Sequence, residues 1–291
     1  MRNGNLNLPS RNRTFVQAAL TALLATASLA MAAAAAPAPA HAQTSSNWAG
    51  YVARASSATG GRFHRVAGTW VVPAAQCASA KRATFSAVWV GLGGDQRGAR
   101  RLEQVGTDAD CSRSGHAHYS SWYELLPADA VNLHMDIAAG DTMSASVGVR
   151  DGAVKLDIAD LTTAESFTVT RHPSRVDLSS AEWIVEAPSA CDGRGHCEVL
   201  TLTNFGTASF SAAAAGAGGH LGPASDARWG ATALELHQPV RHVRRPRNHF
   251  AGGLLGGEVR ATPSPLAPGT GAFSVTWAEG AATRTGPAAG A

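Results

Sequence analysis

The sequence predicts an all-β protein, an antiparallel β-sandwich of two curved sheets of the jelly-roll or concanavalin-like type. Short runs of apolar, β-branched and aromatic residues recur between clusters of Gly, Pro, Ser and Asp, and few stretches show the apolar period of a helix. Regular alternation of short strands and turns is typical of such sandwiches. The runs predict strands at 47–53, 65–72, 84–92, 101–106, 118–124, 142–149, 154–161, 166–171, 181–186, 199–203, 208–211, 229–238, 257–261 and 272–277.

The connections between these runs are predicted from their turn residues. The segment 150–153 contains Asp-Gly between two runs and predicts a β-hairpin. The Ala- and Gly-rich stretch 212–219 is expected to be a loop, because glycine interrupts it. The basic stretch 241–249 is expected to be a solvated surface loop rather than a site for a polyanion.

The first 42 residues have the layout of a secretory signal peptide. Three arginines give a positive start, and an uncharged Ala- and Leu-rich run follows at 15–36. Small residues, Ala40 and Ala42, occupy the cleavage positions. A transmembrane helix is the alternative, but the run is dominated by alanine and ends in prolines. We therefore expect a signal peptide at 1–42 and a secreted protein, extracellular or periplasmic.

The rest of the chain suits a single domain, because β-sandwiches of this length commonly form one core. We expect a β-sandwich domain at 43–277 and a flexible C-terminal tail at 278–291. The chain has 24 Lys and Arg against 21 Asp and Glu, and three of the arginines lie in the leader, so the mature part is formally neutral. A formally neutral chain gives no reason to expect a nucleic-acid partner. Once the leader is removed, we expect the protein to be a monomer that does not associate with membranes.

Four cysteines fit an exported protein with two disulfides, for which three connectivities are possible. We favour Cys77–Cys111 with Cys191–Cys197, because the second pair closes a short Gly-containing loop between two strand-like runs. Zinc is the alternative, but no Cys-x-x-Cys occurs, and His116 and His118 have no close cysteine or acid at metal-ligand spacing beyond Cys111. We therefore expect no metal and no cofactor.

The segment 181–186 predicts a strand with two carboxylates on one face. Glu182, Ile184 and Glu186 share a face, while Trp183 and Val185 share the other. Acidic residues are depleted in strands, so the acidic face is either solvated or part of a carboxylate-lined cleft.

Three other predicted strands carry polar or aromatic residues where a plain apolar strand would be expected. Aromatic rings, one amide and several carboxylates on different strands can converge on the open face of a curved sheet. These residues are Trp89 with Gly91, Gln104 with Gly106, where the glycine is expected to leave room beside the amide, and Trp122 with Glu124.

With these segments the chain resembles the glutamic peptidases, also called eqolisins. The resemblance covers nearly all of the predicted mature chain, and each motif is weak alone, but their order makes chance a poor explanation. The motifs are Ser-Asn-Trp-Ala-Gly-Tyr at 46–51, Gly-Thr-Trp-Val-Val-Pro at 68–73, Trp-Val-Gly at 89–91, Glu-Gln-Val-Gly-Thr-Asp at 103–108, Trp-Tyr-Glu at 122–124, Ala-Gly-Asp at 139–141, Ala-Glu-Trp-Ile-Val-Glu at 181–186, Asn-Phe-Gly at 204–206 and, more weakly, 261–264 and 273–277.

The resemblance implies a sandwich of two seven-stranded antiparallel sheets and an acid-active endopeptidase that cleaves polypeptides with a Gln/Glu dyad and no metal. It places the catalytic glutamine at Gln104 and the catalytic glutamate at Glu186. It also implies that Trp89, Trp122 and Glu124 line the cleft or support the dyad. The chain departs from the fungal pattern in two places, because it has no Asp at 89–94 and has serines at 120 and 121 where an acid often precedes Trp-Tyr-Glu.

The chemistry of these residues agrees with that assignment. Peptide hydrolysis needs a base for water, a donor for the oxyanion and an acid for the leaving amine. Glu186 can take a proton from water and return it to nitrogen, and the Gln104 amide can donate to the oxyanion. One carboxyl that does both jobs should have a pKa of ~4.3, somewhat raised by burial or by Glu124 and Glu182, so activity is expected in acid.

The remaining candidates receive structural interpretations. Glu124 is expected to orient Glu186, and Glu182 is expected to be structural. Trp48 and Trp70 are expected to pack in the core. Three acids are interpreted as turn residues, namely Asp95, Asp108 and Asp141.

Two other function classes remain open from the sequence. A secreted carbohydrate-binding sandwich could stack sugars on Trp89 and Trp122, and would tolerate loss of Gln104. A glycosidase could use the carboxyl pair Glu124 and Glu186, and would need no amide. Serine and zinc hydrolysis are poorly supported, because neither Gly-x-Ser-x-Gly nor His-Glu-x-x-His occurs.

Overall fold

The computed structural model describes residues 42–78, 82–96, 99–192, 194, 197–238 and 258–279, and these residues belong to one compact unit. These residues form β-strands and a single turn of 3-10 helix, Ser57–Thr59, and no α-helix occurs among them. The strands are β1 (Gln43–Ser45), β2 (Trp48–Arg54), β3 (Phe63–Val71), β4 (Ala87–Leu92), β5 (Glu103–Cys111), β6 (Ala117–Leu125), β7 (Val131–Leu133), β8 (Thr142–Arg150), β9 (Ala153–Asp160), β10 (Ser166–Arg171), β11 (Ser180–Glu186), β12 (Ser189–Cys191), β13 (Cys197–Val199), β14 (Thr207–Ala217), β15 (His220–Pro223), β16 (Thr232–Gln238), β17 (Glu258–Pro263) and β18 (Phe273–Trp277).

The strands follow one hydrogen-bonded path of fourteen strands, which divides between β17 and β16 into two halves of seven strands each. The order is β10-β9-β8-β3-β14-β18-β17 and then β16-β2-β11-β4-β5-β6-β7. Neighbours on this path are antiparallel, whereas β1 joins β16 in parallel. The strands β12 and β13 form a separate hairpin.

The two halves of the path lie face to face, which makes the fold a sandwich. Strands β3, β8 and β9 of one half contact β4, β5 and β11 of the other. Two buried indoles donate hydrogen bonds across the layers, from Trp183 Nε1 to the Ala67 carbonyl at 2.8 Å and from Trp70 Nε1 to Thr107 Oγ1 at 3.0 Å. The all-β, antiparallel sandwich predicted from the sequence is confirmed.

The alternation predicted for 181–186 is also present. Trp183 and Val185 belong to the main core between the layers, and neither is exposed to solvent. Ile184 points to the other face, into a smaller apolar cluster with Trp89 and Trp122. Both faces of β11 are therefore covered, and Glu182 and Glu186 do not lie on a freely solvated surface.

The Ala- and Gly-rich stretch was wrongly predicted as a loop. It extends β14 to Ala217, because Ala213, Ala215 and Ala217 alternate into the core while the strand pairs with β3 and β15. Small residues have little intrinsic preference for strands, so distant pairing partners decide the structure here. Five short strands were not predicted, namely β1, β7, β12, β13 and β15.

Some of the sequence predictions lie outside the described residues. These are the leader up to residue 41, the basic loop at 241–249 and the tail beyond residue 279. In the part of the chain that is described, no helix has the length and apolarity to cross a membrane.

Both predicted disulfides are present. Cys77–Cys111 ties the end of β5 to the segment after β3, and Cys191–Cys197 closes the β12–β13 hairpin. Each bond restricts the unfolded chain more than the folded one, which stabilises the fold. All four cysteines are thereby used, and none is free.

Gly50 is required where β2 meets β11. Its φ of +139° is unfavourable for residues with a side chain, and a Cβ atom at this position would lie 2.1 Å from the carbonyl oxygen of Trp183. Gly50 thus permits the register that places Trp48 opposite Glu186.

Gly50→Ala should lower the free energy of unfolding by more than ~2 kcal/mol, because it adds a backbone collision to the cost of a positive φ. Chemical denaturation measures the change. Gly140→Ala is the matched control, since Gly140 has a φ of +95° but no atom within 4 Å of an added Cβ. Equal losses in the two variants would contradict the steric explanation.

Candidate active site

A cleft of about 570 Å³ lies on the face of β11, β4, β5 and β6 that points away from the main core. The disulfide-closed β12–β13 hairpin forms part of its wall through Ser189, Cys191 and Cys197. The polar and aromatic residues that line it include Trp48, Gln104, Asp108, Trp122, Glu124 and Glu186.

The strand register brings the predicted site residues onto one face, in three neighbouring rows. Residues paired across adjacent strands project to the same side of a sheet, and so do residues two positions apart in a strand. The rows are Glu186–Ala87–Asp108–Ser120, then Ile184–Trp89–Gly106–Trp122, then Glu182–Gly91–Gln104–Glu124.

Glu186 is a partly buried carboxyl with an N–H donor on each oxygen. Asn47 Nδ2 donates to Oε1 at 2.9 Å, and Trp89 Nε1 donates to Oε2 at 2.8 Å. Burial raises the pKa of Glu186 to about 7, against the opposing effect of its N–H donors, and the charge of Glu124 raises it further. The indole N–H of Trp48 also lowers this pKa, although it does not reach hydrogen-bonding geometry.

Gln104 is buried and paired with Glu124. Its Nε2 donates to Glu124 Oε2 at 2.5 Å, which leaves the second N–H of the amide for another acceptor. Its Oε1 is buried without a partner. Burial raises the pKa of Glu124. Glu124 was expected to orient Glu186, but the two carboxyls make no hydrogen bond with each other. Glu124 is hydrogen-bonded to Gln104 instead, and it affects Glu186 through its negative charge.

Trp89 and the two neighbouring glycines are packed more tightly than expected. Trp89 is fully buried and contacts Glu186 from beneath, so its ring is closed to a ligand, whereas Trp122 lines the cleft. A Cβ on Gly106 would lie 2.5 Å from Trp89 Cβ, and one on Gly91 would lie 2.9 Å from the Trp89 ring and 3.2 Å from Gln104 Cβ. Gly91, rather than Gly106, therefore leaves room beside the amide.

Asp108 was wrongly interpreted as a turn residue. It lies in β5 and lines the cleft, where Trp122 Nε1 donates to Oδ1 at 2.7 Å and Ser120 Oγ to Oδ2 at 3.0 Å. Burial raises its pKa to about 7, and the neighbouring charge of Asp110 adds to the effect. The serine at 120, a departure from the fungal pattern, thus provides a donor for an acid on the adjacent strand.

Asp110 is a second cleft acid that the sequence did not suggest. Burial raises its pKa to about 6, although its Oδ1 accepts a hydrogen bond from the Ser86 N–H. The other two acids interpreted as turn residues lie away from the cleft lining. Asp95 pairs with Arg54, and Asp141 accepts the Ala138 N–H at a turn, as expected.

Two aromatic residues expected in the core differ in position. Trp70 is buried between the layers, as predicted. Trp48 instead lines the cleft and meets Trp89 edge to face, with 5.1 Å between ring centroids. Asn47, which precedes Trp48, was not singled out by sequence reasoning. Its position in the Ser-Asn-Trp-Ala-Gly-Tyr motif was the available signal.

Glu182 lies on the same face of β11 as Glu186 but does not line the cleft. It is fully buried, and neither carboxyl oxygen has a hydrogen-bond partner. Burial, together with the charges of Asp95, Asp177 and Glu103, raises its pKa well above the usual value. Glu103, also fully buried, has its pKa raised to about 8 by burial. Both carboxyls are neutral in the folded protein in acid.

The cleft therefore combines the Glu186 carboxyl, whose pKa of about 7 lets it be neutral in acid, with the Gln104 amide donor and the apolar cluster around Trp89 and Ile184. No group of three or more His, Cys, Asp or Glu side chains able to hold a metal ion occurs in the described ranges. A carboxyl that shares a cleft with an amide N–H donor can exchange protons with water beside an acceptor oxygen, which is the chemistry of acyl-group hydrolysis.

The sequence of the chain matches a known protein family. The sequence profile of the peptidase A4 family matches residues 46–240. A search of curated protein sequences gives no match.

Solved structures of glutamic peptidases share the fold. Scytalido-glutamic peptidase with a peptide-based transition state analog is 22% identical over 80% of this chain and 98% of its own, with a TM-score of 0.61. SCP-B, an eqolisin bound to the tripeptide Ala-Ile-His, is 21% identical over the same shares, with a TM-score of 0.58. Aspergilloglutamic peptidase from Aspergillus niger is 26% identical over 67% of this chain and 99% of its own, with a TM-score of 0.52.

The buried acids should make the protein more stable in acid than at neutral pH. Glu182 and Glu103 have folded-state pKa values above the unfolded value of ~4.3, so their contribution is complete below that pH and declines as the pH rises towards the folded values. The melting temperature should therefore fall between about pH 5 and pH 8.

Glu182→Gln should flatten this decline, because glutamine does not titrate. Melting curves recorded across the same pH range provide the measurement, and Glu165→Gln, at an exposed position, serves as the control. Identical pH slopes for the wild-type protein and Glu182→Gln would refute a role for Glu182 in the decline.

Proposed function

Because the chain belongs to the peptidase A4 family, the glutamic peptidases, we propose that it is a secreted, acid-active endopeptidase. In this proposal Gln104 and Glu186 are the catalytic residues. The observation that supports this most is the environment of Glu186, a partly buried carboxyl with an N–H donor on each oxygen, on the same sheet face as the Gln104 amide. Peptides are the substrates that the family implies.

The protonation state of Glu186 supports activity in acid. Its pKa of about 7 is higher than the modest rise expected from the sequence, so the neutral carboxyl is the major form below that pH. A neutral carboxyl has one O–H donor and an acceptor oxygen. It can therefore give and accept a proton in the same step, which a carboxylate alone cannot do.

The proposed first step adds water to the peptide carbonyl carbon. One oxygen of Glu186 accepts a proton from water while the other gives its proton to the carbonyl oxygen, and the new C–O bond forms. The free N–H of Gln104 donates to the oxygen on which negative charge develops. Glu186 is neutral before and after the step, and the intermediate is a neutral diol.

The second step breaks the C–N bond. Glu186 gives its proton to the amide nitrogen and takes one from a hydroxyl of the diol, which becomes the new carboxylic acid. The amine leaves, and Glu186 is again neutral. No covalent bond to the enzyme forms in either step.

The other acids of the cleft favour the same pH range. Asp108, with a pKa of about 7, and Asp110, with a pKa of about 6, are both neutral in acid. The cleft then carries no cluster of negative charge that would hold water and counter-ions against an incoming peptide. Secretion is supported by the leader pattern at 1–42 and by two disulfides, which persist in oxidising compartments.

The rival functions receive less support. A carbohydrate-binding sandwich that stacks sugars on Trp89 is disfavoured because that ring is fully buried. A glycosidase that uses Glu124 with Glu186 leaves Gln104 without a role, although Gln104 is the partner of Glu124. The family match favours the peptidase over both.

Purified mature protein should cleave an acid-denatured protein at about pH 3–5, and chelators or serine-directed reagents should not inhibit it. Glu186→Gln should abolish cleavage, because the amide cannot shuttle a proton. Peptide release measured by mass spectrometry gives the readout, with Glu165→Gln as the matched control. Full proteolysis by a folded Glu186→Gln variant would exclude Glu186 as the proton carrier.

Gln104→Ala should lower kcat by about 10²–10³-fold, the loss expected for one oxyanion donor. KM should change less, because the donor acts mainly on the transition state. Steady-state kinetics on a fluorogenic peptide measure both constants, and Gln96→Ala at an exposed position is the control. A kcat within a few-fold of wild type would remove Gln104 from the mechanism.

A further inference from the structure

The segment that precedes β2 reaches the proposed catalytic carboxyl. Asn47 Nδ2 donates to Glu186 Oε1, although the two residues are 139 positions apart in the chain. The donor to the other oxygen, Trp89, is held rigidly in the sheet and fully buried. Asn47 lies in a bend between strands, so its position has to be fixed by other contacts.

The first of these contacts holds the strand before the bend. β1 lies parallel to β16, with Gln43 opposite Leu234 and Ser45 opposite Leu236. The chain therefore enters the bend from a fixed direction.

The second set of contacts shapes the bend itself. Ser45 Oγ accepts the backbone N–H groups of Trp48 at 3.1 Å and Asn47 at 3.4 Å, which is the pattern of a serine-capped turn. The carbonyl oxygen of Asn47 accepts the N–H of Ala187 at 2.8 Å. Asn47 thus binds the end of β11 twice, once through its backbone and once through its side chain.

We propose that Asn47 is a positioning residue for the reaction, whose amide fixes the orientation of the Glu186 carboxyl, and that the Ser45-capped bend presents this amide. The proposal rests on the proposed role of Glu186. With one N–H on each oxygen, the carboxyl cannot rotate without losing a hydrogen bond, and proton exchange with water depends on that orientation.

The donor also affects the ionisation of Glu186. An N–H that donates to a carboxyl favours the ionised form, so the loss of Asn47 should raise the pKa of Glu186 further. The charged or titratable side chains that share this cleft are Glu124 on β6 and Asp108 and Asp110 on β5. None of these acids is a hydrogen-bond partner of Asn47 in the described structure, so the change in pKa would report the lost donor.

The test uses Asn47→Ala and the volume-conserving Asn47→Leu. The carboxyl of Glu186 is titrated by NMR in protein labelled with ¹³C-glutamate, and its signal is assigned by its loss in Glu186→Gln. The titration midpoint should rise by about half to one pH unit in both variants. At about pH 4, kcat should fall about tenfold or more with little change in KM.

Two further variants locate the effect. Ser45→Ala should change kcat and the midpoint in the same direction but less, because it loosens the bend and keeps the amide. Gln43→Ala is the control, since its side chain contacts Arg54 and not Glu186, and should leave both unchanged. Circular dichroism and melting curves verify that each variant is folded.

An unchanged midpoint and kcat in a folded Asn47→Leu protein would overturn the proposal, and so would equal effects of Gln43→Ala. A fall in kcat without a change in the midpoint would also count against it, because packing alone would explain that result. The titration needs no substrate. If the wild-type protein fails to cleave peptides, the proposed function is rejected while the Asn47 contact is still tested by the midpoint.

Discussion

The site depends on how firmly Trp183 is anchored between the two layers. Its indole is fully buried and donates across the sandwich to Ala67, so β11 cannot slip by one residue without exposing this ring. Because side chains alternate, the same anchor fixes the opposite face, where Glu186 lies. Gly50 completes the constraint, since only a residue without Cβ fits against the Trp183 carbonyl.

From this register follows a cleft in which carboxyls are buried rather than solvated. Burial opposes ionisation, and the pKa values of Glu186 and Asp108 rise to about 7 despite several N–H and O–H donors. At acidic pH these carboxyls are neutral, and burying a neutral carboxyl costs less free energy than burying an ionised one. The catalytic proposal and the expected stability in acid thus have one physical cause. Glu182, whose carboxyl oxygens make no hydrogen bond, shows the same effect without lining the cleft.

The sequence was sufficient for the β-sandwich and the two faces of 181–186, which follow from local alternation. It was also sufficient for both disulfides, which follow from the even number of cysteines and the short loop between Cys191 and Cys197. It was insufficient for residues whose structure or role depends on contacts with strands that are distant in the sequence. Asp108 is a typical turn residue, and only its pairing with Ser120 and Trp122 makes it a cleft acid. The alanines of β14 form a strand because β3 lies beside them, and Glu124 contacts Gln104 because β5 and β6 are paired. Asn47 reaches Glu186 through a bend that no periodic pattern encodes.

The most direct test of the account is the pH dependence of kcat/KM for the wild-type enzyme on a peptide without titratable side chains, from about pH 3 to pH 9. If the neutral Glu186 carboxyl is the working form, the rate constant stays high in acid and declines in a one-proton step near its pKa of about 7. A rate constant that instead rises through that pH to a plateau would show that the ionised carboxylate does the work, and would contradict the account.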